Sequence, residues 1–116
     1  MVTHIDNPLR RYAFLLRLRP GAEAAYEEAH RAVWPEMLAL LKQAGISEYS
    51  IFRRGLLLVL VLRCVDFDAT WSQIENDPVN LRWQAAMAPL FDAFDPMDPL
   101  RTGERFPMMD EVFYLA

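Results

Sequence analysis

At 116 residues, 53% of them hydrophobic and 24% charged, the chain has room for one hydrophobic core and lacks the signature of a disordered protein. A net charge of −4, with the arginines scattered instead of clustered, excludes the basic footprint of a nucleic-acid binder. One cysteine, Cys64 in an apolar run, allows neither an intrachain disulfide nor a cysteine zinc site, and a reducing, cytoplasmic setting is expected.

Residues 1–10 hold little apolar content and no signal-peptide core, and are read as a loose arm before a single domain over 11–116. RYAFLLRLR (11–19) suits a strand that Pro20-Gly21 stops. From Ala22 to Ala44, Tyr26, His30, Val33, Met37, Leu40 and Leu41 recur at helical spacing, with Gly45 placed to end the last turn. Pro35 interrupts that helix, either as a kink or in the first turn of a second one. SEYSIFRR (47–54) and LLLVLVLRC (56–64) flank Gly55 as a hairpin, with Tyr49 and Ile51 expected on one face and Ser50 and Phe52 on the other. The aliphatic run Leu56 to Leu62 is too short to span a bilayer, so no membrane role follows. Asp68 is expected to cap a short helix containing Trp71 and Ile74. Asp77-Pro78 opens a further helix whose face carries Val79, Trp83, Ala86, Met87, Leu90 and Phe91. Residues 95–108, rich in proline, read as a loop, and DEVFYLA (110–116) as a closing strand.

The order strand, helix, strand, strand, helix, strand predicts an α+β domain of the ferredoxin-like βαββαβ type with an antiparallel sheet and its helices on one face. In the third strand Leu57, Val59 and Val61 point away from the face of Leu56, Leu58, Leu60 and Leu62. Helices cover only one of these sets. Leaving the other wet forgoes roughly 1.5 to 3 kcal/mol per side chain, so a homodimer with facing sheets, a dimeric α/β barrel, is expected.

Tyr26 and His30 lie one turn apart on one helix face and can share a site. A histidine titrates near neutrality and so suits general acid or base work. Spacing alone nonetheless favours a structural histidine satisfied by Glu27 or a backbone carbonyl. Tyr49 and Trp83 are amphipathic aromatics able to pack on the C–H face of a sugar, or to serve as core. Trp34, Trp71, Phe14, Phe91 and Phe94 read as packing residues. No phosphate-cradling glycine loop, dinucleotide fingerprint or metal motif is present in the sequence, so no cofactor is expected.

Around Tyr26 and His30 the segment HRAVWPEML resembles the L-rhamnose mutarotase family, as do EYSIF, DPVNLRWQAAM and the terminal EVFYL. The resemblance covers nearly all of 12–115 and implies a dimeric ferredoxin-like enzyme that interconverts the anomers of a monosaccharide. It implies His30 as proton donor, with Tyr26, Tyr49 and Trp83 lining the sugar site. Where typical members carry adjacent tryptophans, this chain has Trp83-Gln84, so an amide replaces one apolar plane beside the ring. L-Rhamnose and L-fucose, which differ at C2 and C4, are therefore both expected as candidate substrates. The competing expectations are a cofactor-free oxygenase of the dimeric ferredoxin-like type and a non-catalytic sugar-binding module.

Overall fold

A computed structural model describes residues 9–94, 97, 98, 100, 101 and 103–116. Most of the expected N-terminal arm therefore lies outside the described residues. The chain runs β1 (Arg10–Leu18), α1 (Glu23–Arg31), α2 (Pro35–Gln43), β2 (Ser47–Arg54), β3 (Leu57–Cys64), α3 (Phe67–Ile74), α4 (Pro78–Met87), a 3₁₀ turn (Ala88–Leu90), β4 (Phe91–Asp92) and β5 (Met108–Met109). The strands pair antiparallel in the order β2-β3-β1-β4, the ferredoxin-like arrangement expected from the sequence.

Alternation along β3 decides where the core sits. Leu58, Leu60, Leu62 and Cys64 are buried, while Leu57, Val59 and Val61 on the opposite face are only half-buried. Across the β1–β3 ladder Phe14 faces Leu60 and Leu16 faces Leu58, so β1 adds its own apolar row to the helix side. On the other face Leu15 and Phe52 flank Val59 from the two neighbouring strands.

Pro35 opens a second helix instead of kinking one. Its fixed φ suits the first turn, where the missing N–H costs nothing. Gly45, at φ 92°, then stops α2: its N–H donates to the Lys42 carbonyl and that of Ile46 to the Leu41 carbonyl. Asp77 accepts from the Val79 N–H at 2.9 Å and caps α4 as the Asp-Pro pair predicts.

Three expectations need correction. Helix α3 starts at Phe67 with Asp66 at its N-cap position, so Asp68 stands inside the first turn and does not cap it. Helix α4 ends at Met87, because Pro89 cannot continue an α-helix; Leu90 and Phe91 belong to the 3₁₀ turn and to β4. Finally, the described residues 110–116 form no strand. The free side of β1 is taken by β4, opposite Arg17 and Leu18, and by β5, opposite Ala13 and Phe14. Beyond β5 the tail meets β1 only through side chains, with Arg11 near Glu111 and over the Tyr114 ring, and Val112 is 93% exposed.

Candidate active site

Helices α1, α2 and α4 stand over the sheet, and between them and the strands lies a cavity of about 560 Å³, within the roughly 300–1,000 Å³ usual for small-molecule sites. Tyr26, His30, Tyr49, Trp83 and Gln84 all line it, so every site residue named from the sequence converges on one space. Three elements hold them: α1, β2 and α4.

His30 follows Tyr26 by one turn, and the spacing stacks their rings at 4.1 Å. Trp83 meets the imidazole edge-on at 5.4 Å, and Trp34 in turn meets Trp83 edge-on at 5.1 Å. The imidazole is thus held by a stacked phenol ring and an edge-on indole. Its Nδ1 lies 2.8 Å from the Tyr26 carbonyl oxygen. A carbonyl only accepts, so Nδ1 carries the proton in the neutral ring and Nε2 is left as the nitrogen free to exchange one. The backbone-carbonyl partner considered for a structural histidine is therefore present, and it also orients the ring.

The two phenols differ in setting. Tyr26 is buried, and burial pushes its pKa up to about 12. Tyr49 keeps 37% of its surface exposed, yet burial around its hydroxyl and the nearby Tyr26 phenol raise it still further. Both remain protonated at neutral pH and offer O–H donors.

Tyr49 stands next to a bulge in β2. Ser47 pairs with Arg63 and Ser50 with Val61, leaving Glu48 and Tyr49 together opposite Leu62. Glu48 takes a left-handed φ of 47°, and its carboxylate accepts from Arg63 at 2.7 Å. Tyr49 and Ile51 share the helix side, as their alternation predicts, and the extra residue shifts the pairing only at Ser47 and Glu48.

Sequence reasoning missed Asn80, whose side chain is 1% exposed and lines the cavity beside Gln84. Its spacing four residues before Gln84 on a helix was the available signal. Lys42 and Glu48 at the cavity wall were also missed, as were the site contributions of Trp71, Phe14 and Phe91, read as packing alone. Among the described residues no group of three or more His, Cys, Asp or Glu side chains converges as a metal site, and no helix is long and apolar enough to cross a membrane.

A model of the L-rhamnose mutarotase family matches residues 11–115. An L-rhamnose mutarotase of Sinorhizobium fredii is 37% identical over 79% of this chain and 89% of its own length. That of Mesorhizobium japonicum is 33% identical over 91% of this chain and 97% of its own. The crystal structure of an L-rhamnose mutarotase from Formosa agariphila superposes with a TM-score of 0.73 at 29% identity, covering 92% of this chain and 99% of that one. On the matched length, the shared fold and the family match together, this chain belongs to the L-rhamnose mutarotase family.

Proposed function

We propose that the protein interconverts the α and β anomers of a 6-deoxy-L-hexose, L-rhamnose, with His30 moving the proton. The observation that carries this reading is the held imidazole: Nδ1 on the Tyr26 carbonyl, ring stacked on Tyr26 and edge-on to Trp83, in the wall of a cavity sized for a small molecule. Mutarotation needs only proton movement. The ring oxygen gains a proton as its bond to C1 breaks, and the anomeric hydroxyl loses one. Rotation about C1–C2 then presents the other carbonyl face, and closure reverses both transfers.

In this reading Nε2–H of the imidazolium protonates the ring oxygen, and the neutral imidazole recovers that proton on closure. The phenols of Tyr26 and Tyr49 are too weakly acidic to act as bases at neutral pH, so they hold hydroxyl oxygens as donors. Water at the open side of the cavity takes the anomeric proton. Trp83 supplies an apolar plane for the C–H face of the sugar. A single positioned acid or base accounts for roughly 10² to 10⁴ in rate, enough to matter for a reaction that already proceeds slowly in water.

Gln84 favours L-fucose as a second substrate, because an amide beside the ring distinguishes hydroxyl configurations that an indole face does not. The working unit is a homodimer, its sheets meeting through Leu57, Val59, Val61 and the 61%-exposed Phe52. The buried free thiol of Cys64 suits a cytoplasmic setting. Anomer exchange followed by saturation-transfer NMR on L-rhamnose and L-fucose side by side tests reaction and sugar together. Faster exchange than buffer on L-rhamnose is expected. Saturable sugar binding without faster exchange would support a binding module, and oxygen uptake with a quinol would support the oxygenase.

A further inference from the structure

The fully buried Asn80 sits in a chain of side-chain amides that ends at the sugar cavity. Its Nδ2 donates to the Glu75 carbonyl at 3.3 Å, and its Oδ1 accepts from Gln84 Nε2 at 3.2 Å. The direction of both bonds follows from the far end. A backbone carbonyl only accepts, so Asn80 must turn its NH₂ toward Glu75 and its oxygen toward Gln84. One of the two Nε2–H groups of Gln84 is then held by Asn80, which fixes the orientation of the amide and so the place at which Oε1 accepts from a ligand.

We propose that Asn80 is a positioning residue that fixes the polarity of Gln84, so that this chain reads one sugar hydroxyl as a donor and not as an acceptor. The inference rests on the anomerisation reading above and adds the specificity device. A free glutamine offers a donor and an acceptor indifferently and discriminates little, because its amide rotates to suit either partner. Anchored through a buried asparagine, it rotates only by breaking a hydrogen bond at a site where Asn80 has no water to replace it. Asn80 and Gln84 are four apart on α4, the spacing at which such side-chain pairs meet. Asn80 itself acts through Gln84 and need not touch the sugar.

The test uses the whole protein and L-rhamnose analogues in which the hydroxyl at C2, C3 or C4 is replaced by hydrogen or by fluorine, which can accept weakly but cannot donate. At the position facing Gln84, both replacements are expected to lower kcat/KM by about ten-fold, corresponding to about 1.4 kcal/mol, and mostly through KM. Fluorine should restore nothing there. In Asn80→Leu the released amide turns either way, and the fluoro analogue should regain most of the loss relative to the deoxy analogue. Gln84→Met, which leaves Asn80 in place, should erase the preference at that position altogether. Fluorine recovering activity equally in wild type and Asn80→Leu overturns the proposal. A second readout needs no sugar: in the free protein the Gln84 side-chain N–H proton held by Asn80 should exchange slowly with solvent, and in Asn80→Leu it should shift and exchange faster. If the protein accelerates no anomer exchange, the enzymatic reading fails, and this amide proton still decides the relay. Fast exchange in wild type overturns it, including where the leucine variant does not fold.

Discussion

Tyr26 has two duties, packing under α1 and offering a phenol to the cavity, and burial couples them. Its folded pKa of about 12 lies above its ordinary value of 10.0, so the folded state holds the phenolic proton more tightly than the unfolded chain does. Stability from this residue is complete below pH 10 and falls as the pH rises toward 12, by roughly 2–3 kcal/mol. Thermal melts across that range should show a shallower alkaline decline for Tyr26→Phe than for wild type; parallel declines would show that the buried phenol does not titrate as described. At this scale the sequence is half informative. The i, i+4 spacing of Tyr26 and His30 places both rings on one face. It says nothing of the Nδ1 bond to the Tyr26 carbonyl, which selects the working nitrogen, and the same bond is what a structural histidine would make. Asn80 was overlooked because burial, and not residue type, makes it notable.

Among the elements, β2 carries an irregularity beside the site. Alternation places Tyr49 with Ile51, and it does not foresee the bulge at Glu48, which inserts an extra residue just before them. A left-handed φ at a residue with a Cβ costs about 1 kcal/mol. Glu48→Gly and Glu48→Ala both remove the carboxylate facing Arg63, so the difference between them isolates the backbone. The glycine variant should be the more stable by about 1 kcal/mol in urea titration; equal stabilities would mean that the bulge relaxes without it. The helices were more legible than the last strand. Pro35, Gly45 and Asp77-Pro78 carry their own geometry, whereas EVFYL has strand composition but finds no backbone partner within the chain. Composition reports what a segment could pair with; only the register of β1, already occupied by β4 and β5, decides whether it does.

For the whole molecule, the outer sheet face is the feature that sequence and structure describe alike. Phe52, Val59 and Leu15 form a cross-strand apolar row on the side away from the helices. Phe52→Glu places a charge in that row without touching the cavity, and in sedimentation it should convert a dimer to a monomer at micromolar concentration. A wild-type monomer at the same concentration would contradict the facing-sheet dimer. The element order predicted the ferredoxin-like sheet because the connections are short and most turns are signalled by Gly or Pro. The cavity was not predictable in that way, since its walls come from helices and strands far apart in sequence.

The central claim is that His30 transfers the proton, and saturation-transfer NMR on L-rhamnose with wild type and His30→Ala tests it most directly. Wild type should accelerate exchange between the anomers, and His30→Ala, folded and of unchanged oligomeric state, should lose about 10² to 10⁴ of that acceleration. Exchange at the wild-type rate in the alanine variant would contradict it.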